Sequence, residues 1–307
     1  MSKPLVLLDH DGGVDDYLST LLLMTMGHLH PLGVVVTPAD CYIQPAVSAT
    51  RKIIDLVGRE EVPVAASTVR GINPFPRLYR RDSWIVDHLP ILNEPETIQT
   101  PLLPESGQDF MVRSLREAAE PVTLLVTGPL TTVAIALDTA PDIEAKIKEI
   151  VWMGGAVNVP GNVEKSIEAG QDGSAEWNAY WDPFAIDRVW QSNIPIVLCS
   201  LDITNQVPVT SEFAHRLAKQ RKYRLSDFAG QCYALVIPQD YYFWDVLATA
   251  YLAHPEFYEL QEVETAIVTT GLSQGRTKLF PGGRKIRMMT QVDRDRFYTY
   301  ILQQWSR

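Results

Sequence analysis

Residues 7–16, with the sequence LLDHDGGVDD, place four carboxylates within eight residues and have an apolar segment on each side. The apolar run at residues 5–8 is typical of a short buried strand, and residues 17–26 are typical of a mostly apolar helix. The acids therefore fall in a strand-to-helix turn, which is where open α/β sheets bind their ligands. Four negative charges this close repel one another unless a cation lies among them or some carboxylates bind protons. A divalent cation with oxygen ligands would satisfy the cluster, whereas Asp15 and Asp16 alone could merely complement the positive end of a helix.

Short apolar runs alternate with helical patterns along most of the chain. Runs typical of buried strands follow the first one at residues 31–37, 62–66, 122–127, 150–153 and 194–198. The tail, residues 266–293, is typical of strands around a glycine turn, and an amphipathic helix at 295–305 closes the chain. This order predicts an α/β fold with a doubly wound, mostly parallel, Rossmann-like sheet. Since no linker, repeat or low-complexity tract interrupts it, we expect a single domain over residues 1–307.

Two long segments break the alternation. Residues 71–105 contain six prolines and Trp84, and residues 158–174 are polar. Long loops inside a compact domain are uncommon and often functional. We expect residues 71–105 and 162–174 to close over a substrate. Trp84 could equally be a packing anchor for its loop, because tryptophans are usually largely buried.

Composition excludes several classes of protein. A net charge of −10 argues against a nucleic-acid binder, because phosphate neutralisation requires a basic surface. The three cysteines form no CxxC pair and offer no disulfide framework, which favours a reducing compartment. No apolar run approaches the ~20 residues that span a bilayer, and no basic segment precedes the first one. We therefore expect a cytoplasmic protein that binds neither membranes nor nucleic acids.

Polar residues follow several of the predicted strands, among them Asp9, Asp11, Asp40, Thr127 and residues 202–205. Because the carboxyl ends of parallel strands meet at one edge of a sheet, this pattern predicts a single crevice. The stretch is not an EF-hand, whose twelfth position is an acid, since that position counted from Asp9 is a threonine. The motifs GxxxxGK[ST], HExxH and GxSxG do not occur, nor does GxGxxG after a strand.

The pattern Asp9-x-Asp11-x-x-x-Asp15-Asp16 resembles the signature of the nucleoside hydrolases, which cleave the N-glycosidic bond of ribonucleosides. Other blocks resemble that family in the same order along the chain, namely residues 126–130 (VTGPL), 153–155 (MGG), 161–162 (GN), 175–178 (AEWN), 182–183 (DP) and 244–245 (WD). The resemblance extends from about residue 5 to about residue 250, and it implies the nucleoside hydrolase fold.

Several details are similar to the purine-specific, inosine-adenosine-guanosine branch of that family. They are residues 9–12 (DHDG), 39–41 (ADC), 200–202 (SLD), 243–245 (FWD), and Trp84 within its loop. Members of the broader inosine-uridine branch commonly carry histidine where this chain has Trp244, and asparagine where it has Asp40. A histidine acid for the leaving base is therefore not expected.

The resemblance implies a tightly bound Ca²⁺ held by the carboxylates of Asp11, Asp16 and Asp245 and by the backbone carbonyl of Thr127. Calcium takes six to eight oxygen ligands in flexible geometry, so this set suits it. Asp11 would be the catalytic base that takes a proton from the attacking water. Asp9 would orient its neighbours from behind the site.

The resemblance also implies the substrate contacts of a purine ribonucleoside. Asp15, Asn162, Glu176 and Asn178 would bind the ribose, although Glu176 and Asn178 could instead form an ordinary loop-to-helix cap. Trp84 and Trp244 would sandwich the purine, and Asp40 would hydrogen-bond the base or its departing nitrogen. Trp244 could instead be a core residue at the start of a helix. The substrate-binding residues that the resemblance implies are therefore Asp15, Asp40, Trp84, Asn162, Glu176, Asn178 and Trp244.

Two alternatives to a purine nucleoside hydrolase stay open at this point. One is a hydrolase of broader or pyrimidine specificity, and the other is a nucleoside- or calcium-binding relative that has lost turnover. The resemblance favours a homodimer, with a homotetramer as the alternative assembly.

Overall fold

The computed structural model describes residues 2–237 and 239–307. Nine strands lie in the described residues: β1 (Leu5–His10), β2 (His30–Val36), β3 (Val64–Ala66), β4 (Val122–Val126), β5 (Ile147–Met153), β6 (Ile196–Cys199), β7 (Tyr258–Ile267), β8 (Thr277–Leu279) and β9 (Arg284–Val292). They form one sheet in the order β3-β2-β1-β4-β5-β6-β9-β7-β8. Strands β1 to β6 and β9 run parallel to one another, and β7 pairs antiparallel with both β9 and β8. The predicted α/β fold with a mostly parallel sheet is confirmed.

Thirteen α-helices lie in the described residues: α1 (Val14–Thr25), α2 (Ile43–Val57), α3 (Arg77–Arg80), α4 (Asp82–Asp87), α5 (Gly107–Glu117), α6 (Thr131–Thr139), α7 (Trp177–Trp181), α8 (Pro183–Trp190), α9 (Leu201–Thr204), α10 (Ser211–Lys219), α11 (Arg224–Val236), α12 (Asp245–Tyr251) and α13 (Arg294–Gln304). Short 3₁₀ turns lie at Pro90–Leu92, Pro141–Lys146 and Pro255–Phe257. In the described residues, no helix combines the length and apolar character that crossing a bilayer requires.

The sheet separates two apolar cores, and neighbouring residues of β1 belong to different ones. Leu8 packs with residues of α1, α2, α11, α12 and α13, whereas Leu7 packs with residues of α5, α6 and α8. Successive side chains on a strand point to opposite faces, so a continuous apolar run is what a strand covered on both faces requires. Burying each such leucine contributes roughly 1.5–3 kcal/mol.

The structure corrects two predictions about local structure and adds one helix that the sequence patterns did not indicate. The 71–105 segment is not a structureless loop, because it contains α3, α4 and a 3₁₀ turn. The aromatic run at residues 241–245 predicts a helix that opens at residue 241, but the helix begins only at Asp245, because residues 241–243 pair in part with the 207–209 segment. The sequence patterns did not indicate helix α11. Charged residues alternate with its buried ones only in the first turns, so its amphipathic pattern is weak.

The strand order places the acidic turn at the point where the winding of the sheet reverses. From β1 the chain proceeds outward through β2 and β3, and it then returns to β4 on the other side of β1. The carboxyl ends of β1 and β4 therefore flank a crevice, which is where ligands bind in open α/β sheets. Asp9 and Asp11 lie at the end of β1, and Thr127 follows β4.

Candidate functional site

A cavity of about 260 Å³ opens at this edge of the sheet. Nine of the residues predicted from the sequence line it together: Asp11, Asp16, Asp40, Thr127, Asn162, Glu176, Asn178, Trp244 and Asp245. Asp9, Asp15 and Trp84 are outside the cavity wall. The structure thus assembles residues that are more than two hundred positions apart in the chain.

Two glycines, one after β1 and one after β4, allow close packing around Asp11. Gly12 has a φ of +83°, and a Cβ there would come within 2.6 Å of the Cys41 Cβ. A Cβ on Gly128 would come within 2.8 Å of the Asp11 Cβ. Only glycine adopts this positive φ without strain and permits both approaches. The two glycines therefore hold Asp11 against the segment that carries Thr127.

Asp16 is fixed by two donors at the start of α1. The Thr127 hydroxyl donates to Asp16 Oδ1 at 2.6 Å, and the Gly13 N–H donates to Oδ2 at 2.8 Å. The Asn178 side-chain amide donates to the Thr127 carbonyl at 2.8 Å and to the Met153 carbonyl at 3.2 Å. Asn178 therefore ties the ends of β4 and β5 together beside the carboxylates.

The cavity concentrates buried negative charge. Burial raises the pKa of Asp11, and the neighbouring carboxylates of Asp16, Asp40 and Asp245 raise it further. Burial also raises the pKa values of Asp245 and Asp40, with repulsion from Asp16 as the next cause for both. None of the ion pairs in the described residues includes Asp11, Asp16 or Asp245. A bound cation would offset the unfavourable free energy of burying these carboxylates close together.

The chemistry of the donor set fits a hard cation. Three carboxylates and the Thr127 carbonyl are all oxygen ligands, as calcium prefers. Within residues 2–237 and 239–307, no three acidic, histidine or cysteine side chains converge at metal-ligating distance.

Asp9 lies behind the cavity, fully buried. The Thr37 hydroxyl donates to Asp9 Oδ1 at 2.7 Å, while Oδ2 has no hydrogen-bond partner among the described residues. Burial raises the pKa of Asp9 to about 8. Its position suits the supporting role predicted for it, which stays a prediction.

Asp15 has both oxygens committed within the protein. Oδ2 accepts the backbone N–H groups of Asp245 at 2.6 Å and Val246 at 3.0 Å, and Oδ1 accepts the Tyr233 hydroxyl at 3.0 Å. In this structure Asp15 therefore caps the start of α12 and so positions Asp245, rather than facing the cavity. Its ribose-binding role stays a prediction.

Replacing Asp15 by asparagine is expected to destabilise the protein by about 2–4 kcal/mol, because an amide NH₂ would face buried donors. Urea unfolding above the Asp15 pKa of about 7 measures the effect. Tyr233→Phe is the matched control, since it removes one of the three donors and is expected to cost about 1 kcal/mol. Equal costs for the two variants would contradict the capping role.

Glu176 is the N-cap of α7 and also lines the cavity. Its carboxylate accepts the backbone N–H groups of Asn178 at 2.9 Å, Ala179 at 3.1 Å and Gly155 at 2.9 Å. The capping alternative weighed from the sequence therefore describes Glu176 in this structure. Asn162 is held nearby, because its side-chain oxygen accepts the Trp177 N–H at 3.1 Å.

The two predicted stacking residues lie in different places. Trp244 lines the cavity, with its ring centroid 4.5 Å from that of Tyr241. Trp84 is 47% exposed on α4, where its nearest ring is His88 at 5.9 Å. A sandwich of the two indoles would require α4 to move.

Several residues that line the cavity were not singled out from the sequence. They are five aromatic residues and three acids, namely Phe75, Tyr79, Trp177, Tyr241, Tyr242, Asp82, Glu164 and Asp240. The run of aromatics at residues 241–244 was a signal that could have found two of them. Others lie in the 71–105 and 158–174 segments, where no periodic pattern in the sequence indicates which residues line a cavity.

Residues 6–299 match the sequence profile of the family described as inosine-uridine preferring nucleoside hydrolase. The solved structure of an inosine-uridine preferring nucleoside hydrolase from Bacillus anthracis superposes with a TM-score of 0.95 at 46% identity, over 99% of each chain.

Two relatives are named pyrimidine-specific ribonucleoside hydrolase RihA. The one from Shewanella woodyi is 29% identical over 301 residues, which is 90% of this chain and 88% of the relative. The one from Shewanella sp. (strain MR-4) is 32% identical over 226 residues, which is 71% of this chain and 64% of the relative.

Proposed function

Because this chain belongs to the inosine-uridine preferring nucleoside hydrolase family, we propose that it is a Ca²⁺-dependent enzyme that hydrolyses the N-glycosidic bond of purine ribonucleosides. The proposal depends on one observation. Asp11, Asp16, Asp245 and Thr127 line the same cavity as Trp244, Tyr241 and Tyr242, which are here called the aromatic wall. We further infer a cytoplasmic homodimer, with a homotetramer as the alternative.

The cation would be held by the carboxylates of Asp11, Asp16 and Asp245 and by the Thr127 carbonyl. When bound, it would supply a Lewis acid that makes the attacking water more acidic and offsets the buried charge. Asn178 holds the Thr127 carbonyl in place, and Asp15 holds the backbone of Asp245. The ligand set is thus oriented by residues around it.

Asp11 acts as the general base and takes a proton from the water that attacks the anomeric carbon. The transition state of glycoside cleavage resembles an oxocarbenium ion, which the surrounding carboxylates stabilise. Asn162, Glu176 and Asn178 lie on the cavity wall where they can bind the hydroxyls of the sugar.

The aromatic end of the cavity receives the purine. Trp244, Tyr241 and Tyr242 line this end, and stacked rings contribute roughly 0.5–1.5 kcal/mol beyond burial. Asp40 Oδ1 and Trp244 Nε1 are buried without a hydrogen-bond partner among the described residues. Rotation of these two side chains would present Asp40 Oδ1 to the base as an acceptor and the Trp244 Nε1–H as a donor. None of the described residues that line the cavity is a histidine, which argues against a histidine acid for the leaving base, and we propose solvent as the source of that proton.

A second candidate is a nucleoside hydrolase of broader or pyrimidine specificity. It is favoured by the names of the relatives, since the RihA proteins are pyrimidine-specific and the Bacillus anthracis protein is inosine-uridine preferring. A pyrimidine would use the same sugar and metal residues and less of the aromatic wall.

Release of free ribose from inosine, guanosine, uridine and cytidine separates the two candidates. We expect kcat/KM to be at least about tenfold higher for the purine nucleosides, because their larger rings bury more surface against the aromatic wall. Uridine cleaved as fast as inosine would favour the second candidate. No ribose from any nucleoside, with calcium present, would contradict hydrolysis and favour a non-catalytic relative.

A further inference from the structure

Residues 72–80, here called the lid segment, are tied to the body of the protein at both ends. The Asn73 side-chain amide donates to the Tyr180 carbonyl at 2.6 Å, and its backbone N–H donates to the Trp181 carbonyl at 3.1 Å. At the other end, Arg80 Nε donates to the Cys41 carbonyl at 3.0 Å. Between these ends the lid segment crosses one side of the cavity.

Residues 163–174, here called the insertion, are tied down mainly at their far end. The Gln171 side chain donates to the Gln274 carbonyl at 2.8 Å, and the Asp172 N–H donates to the Leu272 carbonyl at 2.9 Å. At the near end, the Val163 N–H donates to the Ala175 carbonyl at 3.1 Å. Residues 164–169 are mostly exposed between these anchors.

One hydrogen bond connects the lid segment to the insertion. The Tyr79 hydroxyl donates to Glu164 Oε1 at 2.8 Å, and both side chains line the cavity. Among the hydrogen bonds of the described residues, it is the only one between these two segments. The Tyr79 ring lies edge-on to Trp177 at 5.9 Å, which fixes the direction of its hydroxyl.

We propose that Tyr79 and Glu164 are positioning residues that form a clasp across the cavity, and that the clasp opens to admit and release the nucleoside. The assignment to nucleoside turnover rests on the proposed function. A hydrogen bond to an exposed carboxylate is weak enough to break thermally, because water replaces the lost partner. When the clasp is closed, it holds Tyr79 and Glu164 beside Asn162 and keeps the sugar end of the cavity shut.

Amide hydrogen exchange in the calcium-loaded protein without nucleoside tests the clasp directly. In Tyr79→Phe, which keeps the ring on Trp177, we expect exchange in the lid segment and the insertion to rise about five- to tenfold. Tyr180→Phe is the matched control, because it removes a similar bond from the Tyr180 hydroxyl to Glu168 of the insertion, 3.2 Å long. The control is expected to leave exchange in the lid segment unchanged.

Kinetics separate positioning from a merely structural role. In Tyr79→Phe and Glu164→Ala we expect KM for the preferred nucleoside to rise about fivefold, with kcat changed by less than about twofold. Glu164→Gln, whose amide oxygen still accepts the Tyr79 hydroxyl, is expected to rescue KM to within about twofold of the native value. The double variant should be no worse than either single one.

Native exchange of the lid segment in Tyr79→Phe would overturn the clasp, as would additive effects in the double variant. The exchange result does not depend on turnover. If the protein released no ribose from any nucleoside, the proposed function would fail while the exchange measurement would still decide whether the clasp exists.

Discussion

Replacing Asp11 by asparagine is expected to lower kcat for the preferred nucleoside by about a thousandfold or more. A positioned general base contributes roughly 10²–10⁴-fold, and the same substitution removes one charged oxygen ligand from the proposed cation site. The protein should stay folded, because asparagine is nearly isosteric and the Asp40 N–H, at 3.2 Å, is the one hydrogen-bond donor to the Asp11 side chain among the described residues. Single-turnover kinetics with saturating calcium measure the loss.

The stability of the metal-free Asp11→Asn variant is part of the same expectation. Burial and neighbouring carboxylates raise the pKa of Asp11, so its ionised form is unfavourable without a cation. The metal-free variant should therefore unfold at a temperature equal to or above that of the native protein. Asp142→Asn is the control, since Asp142 pairs with Arg116 on the surface and its loss should leave kcat unchanged. Native turnover in Asp11→Asn would show that the base is another residue.

The parts of this fold that the sequence predicted are those encoded by local patterns. Residues 5–8 are apolar on both faces because β1 is covered by helices on both sides, and the acids after them mark its carboxyl end. An Asp-Pro pair is typical of a helix start, and Asp182 and Pro183 begin α8, where the Asp182 side chain accepts the Ala185 N–H. Such signals depend on neighbours in sequence, and they confine the site to one edge of the sheet.

The parts that could not be predicted depend on contacts between distant segments. Whether Asp15 faces the cavity or caps α12 is decided by the approach of Tyr233 and of residues 245–246, more than two hundred positions away. Trp84 was expected at the cavity, but its place depends on how α4 packs, which has no periodic signature. The pairing of Tyr79 with Glu164 joins two irregular segments, and neither residue type nor spacing indicates it.

Calcium is expected to raise the unfolding temperature by about 5 °C at a hundred times its dissociation constant. This follows from about 2.7 kcal/mol of linkage stabilisation and about 2 °C per kcal/mol for a protein of this size. Chelation should abolish turnover, and calcium should restore it. Magnesium should restore less, because it demands a rigid octahedral shell that carboxylates at flexible positions do not provide. Activity that persists fully after exhaustive chelation would contradict the metal site.

The raised pKa values of the buried carboxyl groups determine whether the stability of the protein rises or falls with pH. Burial raises the pKa of Asp9 from 3.8 to about 8 and that of Asp15 to about 7, so the folded metal-free protein holds protons that the unfolded chain has lost. Its stability should therefore fall as the pH rises from about 4 to about 8. The proposed calcium would bind the ionised forms of Asp11 and Asp245, whose pKa values are also raised, so we expect its binding to release protons and to tighten with pH. Unfolding temperatures at about pH 5.5 and about pH 8.5, with calcium and with chelator, should show a calcium increment that grows with pH. Calorimetric titration in two buffers of different ionisation enthalpy measures the released protons, and an increment that shrinks with pH would contradict the carboxylate ligand set.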